Sequence, residues 1–129
     1  MTQEEKEILF KDLCARLPYH TRVKVWLKDG TTEEGTLDLE HNYGDVLRDA
    51  FYYNKIVKIK PYLFPLSSMT EEQYDQLYID SRVKNDSIDI LDALANDMDA
   101  IDWLNKNHFD WRGLIEKGLA IDATGLNIY

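Results

Sequence analysis

The side chains most often used in catalysis or metal binding are few and widely separated in this 129-residue chain. The three histidines, His20, His41 and His108, form no His-x-His or His-x3-His pair of the kind that binds zinc on one strand or helix. The single cysteine, Cys14, excludes an internal disulfide and has no neighbouring base, which favours a small core residue over a nucleophile. No nucleophile-elbow, Walker or dinucleotide-binding glycine pattern occurs. We therefore expect no catalytic residues, no metal and no cofactor.

A row of aspartates is the most distinctive chemical feature of the second half. In the helix predicted to begin near Asn85, apolar residues fall in one arc, at about 100° per residue, and aspartates fall in the opposite arc. Aspartate is a poorer helix former than glutamate, so helix propensity does not explain the choice. The row is either a solvated face or a surface that binds a basic protein partner, and both alternatives stay open. The candidate partner-binding residues are Asp89, Asp92, Asp97 and Asp99.

The elements that position residues in the first half are a helix and several short strands. Thr2 and Glu5 have the spacing of a capping box that begins a helix. Apolar and polar residues then alternate over Arg22–Lys28, which is typical of a half-buried strand, and Asp29-Gly30 is a typical hairpin turn. With later strands up to Ile56–Lys60, this order predicts an α+β fold: a helix, then a small, strongly bent antiparallel sheet or SH3-like barrel.

One stretch of this half resembles the first signature of the Sm-like RNA-binding proteins: Val25-x-Leu27-x-Asp29-Gly30-x4-Gly35-x-Leu37. The resemblance implies a small barrel that binds single-stranded RNA with the loop after its second strand. The chain departs from the family because its nearest loop residues are offset, and because Lys55-Ile56-Val57-Lys58 replaces the late Arg-Gly pair. The candidate RNA-binding residues are His41, Asn42, Tyr43, Lys55 and Lys58, with Lys24, Lys28 and Lys60 as further phosphate contacts.

The formal charge of −9 is unevenly distributed along the chain. Residues 1–65 carry a net charge of −1 and residues 66–129 carry −8. Because nucleic-acid binding requires Lys and Arg against phosphates, this balance allows it through the first half only. The junction over Lys60–Ser68, with two prolines, predicts a barrel-like region at 1–66 and an acidic helical region at 67–129, sharing one core.

Local signals also organise the second half. Thr70 and Gln73 predict a second capping box, with a helix over about 70–82. Asp110 is expected to cap a short helix, and the apolar tail from Leu119 either docks on the core or offers a strand to a partner. No stretch has the length of a membrane span, and the first residues are too acidic for a secretory signal.

Three longer blocks resemble small proteins of gut Bacteroidales bacteria and their phages: Lys11–Tyr19, Ile59–Glu72 and Asn107–Tyr129. This resemblance implies an origin in bacterial or phage cytoplasm and implies no activity. We therefore expect a non-enzymatic interaction protein that binds a protein partner through the acidic helix. The alternative is an Sm-like module that binds single-stranded RNA.

Overall fold

The computed structural model describes residues 2–37, 56–81 and 98–129. Helices pack with a five-stranded sheet, so the α+β class predicted from the sequence is confirmed. In chain order the elements are helix α1 (Gln3–Arg16), strands β1 (Arg22–Leu27), β2 (Thr32–Thr36) and β3 (Ile56–Pro65), helices α2 (Glu71–Ser81) and α3 (Met98–Lys106), and strands β4 (Phe109–Asp110) and β5 (Ile121–Asp122).

Helix α1 begins at the predicted capping box. The backbone N–H of Thr2 donates to the Glu5 carboxylate, and the Glu5 N–H donates to the Thr2 hydroxyl, both at 3.1 Å. Leu9 and Leu13, one turn apart, are buried against the sheet. The expectation that Cys14 is a core residue is wrong, because it lies about 100° around the helix from Leu13 and is exposed.

Strands β1 and β2 form the predicted antiparallel hairpin. Gly30 in the turn has φ of +88°, a backbone conformation that glycine adopts without steric strain. Along β1, Val23 and Val25 are buried, whereas Lys24 and Trp26 are half-buried on the opposite face. The alternation in the sequence therefore correctly assigns the two faces of this strand.

Strand β3 is ten residues long and continues through the segment that the sequence assigns to a junction. Its first residues pair antiparallel with β1, in a register that places Ile59 opposite Val25 and Lys58 opposite Trp26. Residues 62–65 pair parallel with β4 and β5. The sheet is therefore mixed, not purely antiparallel as predicted, and the described strands leave it open. Two-residue strands are too short to produce an alternating pattern, so the sequence did not reveal the parallel pairs.

The buried apolar residues form two clusters. The first lies between α1, the inner face of the sheet and the segment before β5, and the second lies among α2, α3 and β4. The first contains Leu9, Leu13, Val23, Val25, Leu37, Ile59, Leu63, Leu114, Leu119 and Ala120. The second contains Met69, Leu77, Ala100, Trp103, Leu104 and Phe109. The first cluster combines residues from both sides of Pro65, while the division into regions 1–66 and 67–129 stays a prediction.

A buried ion pair joins α1 to β4. Asp12 and Arg16 are both fully buried, and Arg16 Nε donates to Asp12 Oδ2 at 2.8 Å. Arg16 Nη2 also donates to the carbonyl of Phe109 at 2.6 Å, and Arg112 Nε donates to the second Asp12 oxygen at 3.2 Å. These bonds fix the first helix against a strand that lies more than ninety residues later.

The end of the chain docks on the sheet. Asp110 is a cap as predicted, since its carboxylate accepts the N–H groups of Leu114 and Ile115 at 2.8 and 2.9 Å, but the residues that follow form turns and not a helix. Further on, the N–H of Ala123 donates to the carbonyl of Leu63 at 2.8 Å. Of the two predicted alternatives for the tail, the structure therefore shows docking.

Candidate nucleic-acid interface

The outer face of the sheet brings three lysines around one indole ring. Side chains alternate along β1 and β3, and the register places Lys58 opposite Trp26 and Lys60 opposite Lys24. The Nζ atoms of Lys24, Lys58 and Lys60 lie 5.4, 4.8 and 5.9 Å from the centroid of the Trp26 ring. We call these four residues the Trp26 face.

The Trp26 face concentrates positive charge that is accessible to solvent. Lys58 is exposed, and Trp26, Lys24 and Lys60 are half-buried. Each ammonium near the ring gains about 0.5–1 kcal/mol from the ring quadrupole at an exposed site, which helps to hold three like charges together. An anion bound among them would relieve the remaining repulsion, so the arrangement favours an anionic ligand with a planar, stackable group.

The structure brings together only part of the predicted RNA site. Lys58, with Lys24 and Lys60, belongs to the Trp26 face, whereas the exposed Lys28 lies beyond the end of β1. The remaining candidates, His41, Asn42, Tyr43 and Lys55, lie outside the described residues. Trp26 itself was missed as a site residue. The available signal was its position two residues after Lys24, on the same face of an alternating strand.

The predicted acidic surface falls largely outside the described residues. Asp89, Asp92 and Asp97 lie outside the described residues. Asp99 lies within α3, but its side chain is not among those described. Asp102, a further aspartate that follows the row, is exposed on α3.

A second polar and aromatic cluster surrounds His108. Its ring stacks on Tyr129, with centroids 3.8 Å apart and planes 11° apart, and its Nδ1 shares a hydrogen bond of 3.1 Å with the hydroxyl of Thr21. The Tyr129 hydroxyl accepts the N–H of Arg22 at 2.8 Å and donates to the carbonyl of Tyr62 at 2.7 Å. Tyr129 therefore bridges β1 and β3 with its hydroxyl, and this cluster holds the tail in place.

The His108 cluster has the properties of a structural contact rather than a catalytic pair. Thr21 is fully buried, so its hydroxyl is inaccessible to a substrate. Burial, together with the positive charge of Arg16, lowers the pKa of His108 to about 4. At neutral pH this histidine is an uncharged ring that fills space between the sheet and the tail. Its φ of +64° adds a backbone constraint that favours a residue tolerant of the left-handed conformation.

Other reactive groups are isolated in the described part of the chain. No group of three His, Cys, Asp or Glu side chains there is arranged to hold a metal ion. Partial burial raises the pKa of the Cys14 thiol, which is the opposite of nucleophile activation. A cleft of about 330 Å³ beside β3 has a lining that includes Glu5, Lys117 and the exposed Val57.

Comparisons with protein-family models, with curated proteins and with solved structures gave no match. Within the described ranges, no helix has both the length and the apolar composition required to cross a membrane.

Proposed function

We propose that this protein binds single-stranded RNA through the Trp26 face. The observation that carries the proposal is the placement of three ammonium groups within 6 Å of one half-buried indole on an otherwise strongly acidic protein. A base stacks on the indole, and the flanking phosphates replace the ring as partners of the lysines. Stacking of one base on an aromatic side chain contributes about 1–3 kcal/mol.

Single strands suit this face better than duplexes. The bases of a duplex are stacked on one another, so a ring on a protein surface reaches them only when they are unstacked. Recognition of a duplex otherwise requires a helix or a two-stranded ribbon that enters a groove. The Trp26 face lies instead on a wider sheet, because β1 pairs with β2 on one side and with β3 on the other.

The local charge is compatible with this proposal despite the total of −9. Region 1–65, which contains the Trp26 face, has a net charge of only −1. At 0.15 M salt, charges separated by more than about 8 Å are largely screened in solvent, so the lysines beside the ring dominate the field that a phosphate meets there.

The proposal also includes the SH3-like barrel form and an RNA contact by His41, Asn42 and Tyr43. The Sm-like signature supports both.

The proposal is tested by fluorescence anisotropy with a labelled twelve-nucleotide RNA at low salt. Trp26→Ala should weaken binding about 5- to 150-fold, because it removes one stacking position. Lys58→Gln should weaken binding and reduce the slope of log K against log salt by about 0.7. Lys106→Gln, a matched loss of charge at the exposed end of α3, should leave binding unchanged. Wild-type affinity in the Trp26→Ala variant would refute the proposal.

A second candidate function is binding of a basic protein partner through the acidic row. Its support in the described residues is Asp102, which is exposed on the side of α3 opposite the buried Ala100 and Leu104. The test is a pull-down in which Asn replaces Asp89, Asp92, Asp97 and Asp99, and an unchanged set of partners would contradict it. In both functions the protein acts without catalysis in bacterial or phage cytoplasm.

A further inference from the structure

We propose that Glu34 reads the hydrogen-bonding edge of the base stacked on Trp26 and so favours guanine. This inference rests on the proposed function, because it names the base preference of the same site. The side chain of Glu34 places a carboxylate on the basic face of the sheet, and a carboxylate has no role in binding phosphate.

Glu34 lies on β2, on the same face of the sheet as Trp26. The register of β1 and β2 places Thr32 opposite Trp26 and Glu34 opposite Lys24. Glu34 is therefore the diagonal neighbour of Trp26 on the same face, at about 7–8 Å between Cα atoms, a distance that long side chains span. Glu34 is exposed to solvent.

Glu34 is not explained as a partner of the neighbouring lysines. The ammonium of Lys24, directly opposite, lies over the Trp26 ring, and these two described residues form no ion pair. The carboxylate is bound instead by the hydroxyl of Tyr62, which donates to Glu34 Oε1 at 2.7 Å. The residue that orients Glu34 is therefore an uncharged hydrogen-bond donor.

The donor to the Glu34 carboxylate, Tyr62, is a buried residue. It is only 6% exposed and lies on β3, across β1 from Glu34. Burial and the adjacent Glu34 carboxylate raise the pKa of Tyr62 to about 12, so its hydroxyl keeps its proton and remains a donor at neutral pH. One carboxylate oxygen of Glu34 is thus hydrogen-bonded to a buried donor before a ligand arrives.

The chemistry of a carboxylate determines which base it favours. Both oxygens are acceptors only, each with two lone pairs, so Oε1 can accept a second bond beside that of Tyr62. Guanine presents two adjacent donors on its Watson–Crick edge, the N1–H and the N2 amino group, which match two acceptors. Adenine and cytosine present one amino donor beside an acceptor nitrogen, and uracil places its single N–H between two carbonyl oxygens that a carboxylate repels.

The test compares oligouridine eight-mers that differ in one central base. The wild type should bind the strand with guanine about tenfold more tightly than the strand with uracil, with adenine and cytosine between them. Glu34→Gln should reduce the guanine preference below about threefold, because its amide nitrogen presents a donor to a donor. Tyr62→Phe should reduce the preference in part, since it releases the carboxylate.

Glu33→Gln is the matched control. Glu33 is the exposed neighbour on β2, opposite Val25, and its side chain belongs to the other face of the strand. The Glu33→Gln variant should keep the tenfold preference for guanine. If both Gln variants instead gain the same affinity for all four strands, Glu34 acts only through its charge and the inference is overturned. Wild-type binding without base preference would also overturn it and leave the proposed function standing, while absence of binding to every strand would end both. The series is repeated in DNA, and the same base order is expected in whichever nucleic acid binds.

Discussion

Replacement of Asp12 by Asn should be among the most destabilising single changes in the described part of the chain. Asp12 is fully buried, and its two oxygens accept from Arg16 and Arg112. The variant leaves the fully buried guanidinium of Arg16 without a counter-charge in direct contact, and Nη1 of Arg16 already lacks a hydrogen-bond partner among the described residues. Removing one partner of a buried ion pair costs about 3–5 kcal/mol.

The loss can be measured by urea unfolding followed by circular dichroism. With a slope of about 1.5 kcal/mol per molar urea, the midpoint should fall by about 2–3 M. Because natural domains are stable by only about 5–15 kcal/mol, the variant should lose a large part of its stability.

Two further variants separate charge burial from packing. Arg112→Gln removes a guanidinium that is partly exposed and should cost clearly less than Asp12→Asn. The double replacement Asp12→Leu with Arg16→Met removes both buried charges and should be more stable than Asp12→Asn alone. A loss below about 1 kcal/mol in Asp12→Asn, or a double variant less stable than the single one, would refute this reasoning.

Two other predictions concern the contacts of the tail. His108 is neutral when folded, with a pKa of about 4 against about 6.5 when unfolded, so the unfolded chain takes up the proton first and stability should fall as pH decreases from about 6.5 to 4. His108→Asn, which tolerates the left-handed backbone, should make the urea midpoint less dependent on pH in that range; an unchanged dependence would contradict the assignment. Tyr129→Phe keeps the ring but removes the bridge between Arg22 N–H and the Tyr62 carbonyl, and should cost about 1–3 kcal/mol in urea unfolding. A midpoint equal to that of the wild type would show that this hydroxyl contributes nothing.

The sequence predicted the features that depend on neighbouring residues. The capping boxes at Thr2 and Thr70 connect residues three positions apart, and both form the expected pair of hydrogen bonds. The Asp29-Gly30 hairpin and the two faces of β1 also follow from patterns within a few residues.

The features that the sequence did not reveal depend on contacts between distant segments. Tyr129 reaches Arg22 across 107 positions, and Arg16 reaches Phe109 across 93. Two of the four residues of the Trp26 face could be placed together from the sequence, because alternation puts Lys24 and Trp26 on one side of β1. The register that brings Lys58 and Lys60 beside them is set by tertiary pairing of β1 and β3. Without this register, the sequence does not show whether the lysines are scattered or form one site.

The most direct measurement of the central claim is an NMR titration of the indole N–H signals with single-stranded RNA. The chain has three tryptophans, Trp26, Trp103 and Trp111, and only Trp26 belongs to the proposed interface. Trp103 is buried in the second apolar cluster, and Trp111 donates its indole N–H to Asn105 at 2.9 Å. Our account predicts that the Trp26 signal shifts as RNA is added while the other two remain in place. An unmoved Trp26 signal at saturating RNA would contradict it.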